Sequence, residues 1–170
     1  MDEINIAELV GDAVILDISD TYGPGKMETR EISLEELQRA FSKQQNQLRT
    51  GDALIIHTGW SVLYHSDPAR YYDRFHTLGR AACEWAVKAG IRLFGIDAPD
   101  VDPPETFKSR PFSKPNHKLL LEKGICIIEN VGGEVAELVQ QRVLLIPAPL
   151  KLAGQYASGV PVRLLAIKET

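Results

Sequence analysis

The feature that most restricts how this chain can fold is an alternation: short apolar runs of β type recur along it, each bounded by turn signals and separated from the next by helical spacing. Ala13–Ile18, Ala53–Thr58, Arg92–Ile96, Ile125–Glu129, Arg142–Pro147 and Val160–Ile167 read as strands, several of them continuous hydrophobic runs of the kind buried on both faces. Between the first two, Ser33 and Glu36 form an S-x-x-E capping box ahead of Leu34, Leu37 and Phe41, whose spacing predicts an amphipathic helix to Gln44. Pro68 opens a helical stretch through Tyr71, Tyr72 and Phe75, and a longer helix is predicted over Leu78–Ala89 with Gly90 as its stop. Pro115–Lys123, stopped by Gly124, and Gly132–Gln140 read as two more helices. Strand and helix taking turns in this way predict an α/β fold, a mixed or largely parallel sheet with helices packed against it.

At 170 residues the chain can bury one sizeable core, so a single domain over residues 1–170 is the expectation. A net charge of -4, spread along the sequence, gives no basic face for nucleic acid. The longest apolar runs fall far short of the roughly twenty residues that cross a bilayer. Met1–Ile6 has neither a basic cluster nor an apolar h-region, so a cytoplasmic setting is expected. Cys83 and Cys126 share no CxxC or CxxH spacing and read as small core hydrophobes.

Ligands of α/β folds collect beyond the carboxyl ends of parallel strands. Three acids stand at such ends: Asp17, Asp97 and Glu129. Each is either a turn former and cap or a group with chemistry. The stretch from Asp97 to Pro115, with Pro99, Pro103, Pro104 and Pro111, is expected to be one long structureless loop, a frequent place for binding functions. The four histidines form no HxH, HxxxH or HExxH pair. His65 and His76, in polar segments rich in aromatics, are expected to face solvent, and His57 to be a half-buried, hydrogen-bonded strand residue. His117 opens a short helix that leads directly into the strand ending at Glu129, which makes the two a candidate metal pair. One histidine and one carboxylate still fall short of the three protein ligands that catalytic zinc takes.

GIDAPDVD (Gly95–Asp102), NHKLLLEKGICIIENV (Asn116–Val131) and PAPLKLAGQYASGVPVRLLAI (Pro147–Ile167) resemble, in order, the metal-dependent cyclase family, which includes bacterial kynurenine formamidases and isatin hydrolases. VGDAVILDIS (Val10–Ser19) and GDALIIHTGW (Gly51–Trp60) are similar to that family's first core strands with their leading Gly-Asp. The resemblance implies a swivelling β/β/α fold with a mixed central sheet or barrel and a homodimer or larger homo-oligomer. It also implies zinc- or manganese-dependent hydrolysis of a small aromatic formamide or cyclic amide. It makes His117 and Glu129 metal ligands, places Trp60 and Asp97 at the substrate, and supplies no acid/base residue from this chain. The family's HxGTHxD ligand motif is not in the sequence; the resemblance places it ahead of Met1, which implies a domain incomplete at its N-terminus and an impaired metal site. Three readings stay open here: a metal-dependent amidohydrolase lineage, a non-catalytic binding or assembly module on the same fold, and an unrelated α/β protein using Asp17 and Asp97.

Overall fold

In the computed structural model, residues 4–26, 29–108, 113–153 and 159–168 are described. Their strands are β1 (Gly11–Asp17), β2 (Glu31–Ile32), β3 (Ala53–His57), β4 (Thr77–Leu78), β5 (Leu93–Ile96), β6 (Cys126–Ile128), β7 (Arg142–Pro149) and β8 (Val162–Lys168). The helices are α1 (Ile6–Leu9), α2 (Ser19–Tyr22), α3 (Leu34–Lys43), α4 (Leu63–Ser66), α5 (Pro68–Asp73), α6 (Arg80–Lys88) and α7 (Pro115–Leu121).

A six-stranded sheet runs β6-β5-β3-β1-β7-β8. Its first four strands are mutually parallel, while β7 lies antiparallel to β1 and β8 antiparallel to β7. The mixed α/β expectation therefore holds, and the parallel part puts Glu129 and Asp97 just past the carboxyl ends of β6 and β5, and His57 and Asp17 at those of β3 and β1. The continuous apolar runs are explained by two cores. Val14, Leu16, Leu54, Ile56, Phe94 and Ile96 pack on one face with Leu37 and Phe41 of α3, Ala82 and Ala86 of α6 and Leu120 of α7. Ala13, Ile15, Ala53, Ile55 and Leu93 point the other way, against Ile128, Val131, Val143 and Leu145, with Val162 and Leu164 of β8 along the margin. Successive strand residues thus serve opposite cores.

Helix α3 ends within a residue of its sequence-predicted bounds because both halves of the capping box form: Glu36 N–H donates to Ser33 Oγ, and the Ser33 N–H to Glu36 Oε2. Glu36 also accepts from Tyr22 Oη (2.5 Å) and from the Arg30 guanidinium. Arg30, against the opposing effect of burial, holds the Glu36 carboxyl at about 2. A carboxyl lowered on folding stabilises above its ordinary pKa and loses that contribution as the pH falls through the lowered one. Wild type should therefore lose stability between about pH 5 and pH 2, and E36Q should remove about 1 kcal/mol of that dependence, a modest figure because the Arg30 side chain is 38% exposed. Urea midpoints taken across that window give the difference directly.

Three local expectations are corrected. Residues 132–140 form not an α-helix but a single 3-10 turn over Val135–Leu138, between Gly133 and Gln140, both with positive φ. The stretch after Asp97 is not structureless: bends lead into a 3-10 segment at Pro104–Lys108, and buried carboxylates organise it; Pro111 lies outside the described residues. His76 does not face solvent. It is fully buried edge-on to Tyr22 and Trp60, its Nδ1 lies 3.3 Å from the Arg30 backbone, and burial lowers its pKa so that the ring stays neutral. The β2–β4 pair, too short to be read from the sequence, begins at the residues that follow Arg30 and His76. Of the cysteines, Cys83 is buried, with burial pushing its thiol up to about 12, and Cys126 is half-buried on the second core.

Candidate metal centre

Glu129 follows β6 directly, and His117 sits in the first turn of α7, the helix that returns the chain to that strand. The fold brings the two together, with His117 Nε2 3.4 Å from Glu129 Oε1. Glu129 is held from behind, its Oε1 accepting the Val101 N–H at 3.0 Å. Both side chains are a quarter exposed, so the pair is braced on one side and reachable from the other.

Two carboxylates absent from the sequence-based candidates complete the cluster. Asp102, fully buried, accepts from Asn116 N–H (2.7 Å), His117 N–H (3.2 Å) and His117 Nδ1 (2.8 Å). Asp100 accepts the Asp102 N–H at 2.7 Å, bonds Lys114 Nζ, and places Oδ1 3.7 Å from His117 Nδ1. Asp100, Asp102 and His117 offer donor atoms within 4.8 Å of one another. Those oxygens already accept N–H and ammonium donors, as Glu129 Oε1 accepts the Val101 N–H, whereas His117 Nε2 is turned away from both aspartates and toward Glu129. His117 Nε2 and Glu129 are thus a candidate pair for a cation, beside the Asp100–Asp102–His117 group. The cluster as a whole holds three carboxyl groups (Asp100, Asp102 and Glu129) against one ammonium (Lys114) and one imidazole (His117), an excess of negative charge that suits a divalent cation. The Asp102 hydrogen bond raises the His117 pKa against burial, and burial, aided by Asp100, raises that of Glu129.

Asp97 follows β5, the strand beside β6, and Trp60 lies in the turn after β3. The Asp97 carboxylate, fully buried, accepts from Thr58 N–H (2.9 Å), Thr58 Oγ1 (2.6 Å) and Gly59 N–H (2.8 Å). His57 Nδ1 lies 3.1 Å from its Oδ2 without hydrogen-bond geometry; the ring is more buried than the sequence suggested. Trp60 is 1% exposed, donates Nε1–H to the Tyr71 carbonyl at 3.2 Å, and lies beneath Arg70 at the floor of a cavity of about 390 Å³. The Tyr71 hydroxyl in turn donates to Asn130, next to Glu129. Asp17 accepts the Ser19 N–H at 3.0 Å and caps the turn after β1.

A fold in which parallel strand ends carry one histidine–carboxylate pair has well-marked relatives. The profile of the Cyclase family, described as "Putative cyclase", matches residues 1–103. Kynurenine formamidase of Bacillus cytotoxicus is 30% identical over 162 residues, covering 95% of this chain and 64% of the relative. An uncharacterized protein of Methanocaldococcus jannaschii is 30% identical over 136 residues, 80% of this chain and 61% of that one. Isatin hydrolase A from Ralstonia solanacearum superposes with a TM-score of 0.83 at 23% identity, over 99% of this chain and 64% of that structure. The chain belongs to the cyclase family and has the cyclase and isatin hydrolase fold. It spans 64% of the length of the kynurenine formamidase it matches, and His117 and Glu129 lie beyond the residues matched by the family profile.

Proposed function

We propose that the chain carries part of the active site of a metal-dependent hydrolase that cleaves the C–N bond of an aryl formamide or cyclic amide. The observation that carries this reading is the His117 Nε2–Glu129 pair, a quarter exposed and backed by buried carboxylates. The named relatives support the substrate class, a kynurenine formamidase by sequence and an isatin hydrolase by fold. Zinc and manganese both suit one imidazole and one carboxylate. When bound, such a cation activates water and polarises the scissile carbonyl. In this proposal His117 and Glu129 hold it, and Asp100 and Lys114 set the local charge. Trp60 and Asp97 contribute to substrate binding by keeping Thr58, Gly59 and Tyr71 in place.

Two ligands are fewer than the three a catalytic site requires, so the 170 residues alone are proposed to bind metal weakly and to turn over little. Ligands from a further segment or a second polypeptide would complete the set. A homo-oligomer belongs to the same proposal, because β8 leaves one sheet edge unpaired among the described residues and Leu144, Leu165 and Ile167 are exposed beside it. So does a cytoplasmic setting; among the described residues no helix is long and apolar enough to cross a membrane. The alternative, a non-catalytic assembly module on the same fold, gives the cluster no reason to leave Nε2 reachable.

The test is hydrolysis of N-formylkynurenine and of isatin in the presence of zinc or manganese. The chain alone should add nothing to the rate seen with the metal in buffer. Joined to a segment carrying HxGTHxD, it should hydrolyse one of the two, and E129A should abolish that activity. Turnover that survives E129A would contradict the assignment.

A further inference from the structure

Resting on the reading of His117 and Glu129 as the metal pair, we propose that Asp102 is the positioning residue of the site, capping α7 and fixing the His117 ring so that Nε2 is presented toward Glu129. Helix α7 begins without a cap of its own, since Lys114 at the N-cap makes no side-chain capping bond. Asp102 substitutes from the preceding loop. One of its oxygens takes the Asn116 N–H, and the other takes the His117 N–H, two of the donors that a helix start leaves unpaired. The second oxygen also meets His117 Nδ1 at 2.8 Å.

A carboxylate can only accept, so Nδ1 carries the proton of the neutral ring and Nε2 keeps its lone pair. That lone pair faces Glu129 Oε1 at 3.4 Å. One fully buried side chain therefore fixes both where the ligand helix begins and which ring nitrogen can bind a cation. Asn116 holds the helix start from its other side, donating Nδ2–H to the Leu78 and Val101 carbonyls at 2.9 Å each, but makes no contact with the His117 ring among these bonds.

This separates two variants. In D102N the amide oxygen still accepts the Asn116 N–H, so one of the two capping bonds survives, while an NH2 group now points at the His117 N–H and Nδ1 and favours the Nε2–H tautomer. N116A loosens the helix start and leaves the Nδ1 acceptor in place. The readout is 15N NMR of histidine-labelled, metal-free protein at about pH 9, above the range in which imidazole protonates. His117 is assigned by the signals lost in His117→Gln.

Wild type should show the pyridine-type nitrogen at Nε2, and D102N should move it to Nδ1 and weaken Zn²⁺ affinity roughly 10–100-fold. N116A should lower the melting temperature without changing the tautomer. An Nε2–H tautomer in wild type, or a D102N variant whose tautomer is unchanged, would overturn the proposal. A tautomer that switches as described in a protein that binds no Zn²⁺ at all would support Asp102 as the residue that sets the ring and would refute the metal reading itself.

Discussion

Replacing Asp97 by Ala should destabilise the protein by about 3–5 kcal/mol, a large fraction of the roughly 5–15 kcal/mol typical of a domain. The reason is what the substitution leaves behind. Thr58 N–H, Thr58 Oγ1–H and Gly59 N–H all end on this fully buried carboxylate, and His57 lies against it. Without it, buried donors lose their acceptor in a place water cannot reach, and each unsatisfied group costs about 1–3 kcal/mol. Asp97→Asn keeps one acceptor oxygen and should lose less. Urea unfolding measures both, and an Ala variant within about 1 kcal/mol of wild type would mean that this network does not hold the strand ends together.

Glu129→Gln should change stability and metal binding in opposite directions. Burial and the nearby Asp100 raise the Glu129 pKa, so its ionised form weighs against the metal-free fold. A carboxyl raised on folding contributes stability below its ordinary pKa and loses it as the pH rises through the raised value. At neutral pH the amide should therefore be neutral or stabilising in the metal-free chain. The same change removes an anionic ligand and should weaken Zn²⁺ binding by about tenfold or more. Thermal melts with and without Zn²⁺ show both effects at once: a metal-free melting temperature at or above wild type, and a smaller rise on adding the ion. A residue kept only for structure would lower the first and leave the second unchanged. Such opposition between stability and function is the usual mark of a site selected for its chemistry.

The parts of this fold legible in the sequence are those fixed by local rules. The capping box at Ser33 and Glu36 set α3, and the runs at Val14, Leu54 and Phe94 set β1, β3 and β5, because residues buried on both faces need no alternation. Strand direction was not legible. β7 and β8 look like the others in composition, and only their pairing shows that they run antiparallel to their neighbours. The apolar spacing of residues 132–140 suggests a helix, but Gly132, Gly133 and the left-handed backbone at Gln140 confine it to the 3-10 turn at Val135–Leu138.

The candidate site was half legible. His117 and Glu129 were found by position and resemblance, and the structure brings them to 3.4 Å. Asp100 and Asp102 do not stand out in the sequence because a proline-rich stretch suggests an unstructured loop, in which acids ordinarily face water. The available signal was three aspartates, Asp97, Asp100 and Asp102, within six residues of a strand end. Such density is costly unless each carboxylate has donors, and here the donors come from the turn after β3, from α7 and from the loop itself.

The central claim, that His117 Nε2 and Glu129 form a cation-binding pair that two ligands alone hold weakly, is tested most directly by titrating Zn²⁺ into the metal-free 170-residue chain. The titration is followed at the His117 ring nitrogens by NMR and by calorimetry. The account predicts a shift confined to Nε2 and its surroundings, with a dissociation constant weaker than about 1 μM, the value equivalent to about 8 kcal/mol. A Zn²⁺ ion that leaves the His117 resonances unmoved, or one bound tightly and stoichiometrically in both H117A and E129A, would contradict it.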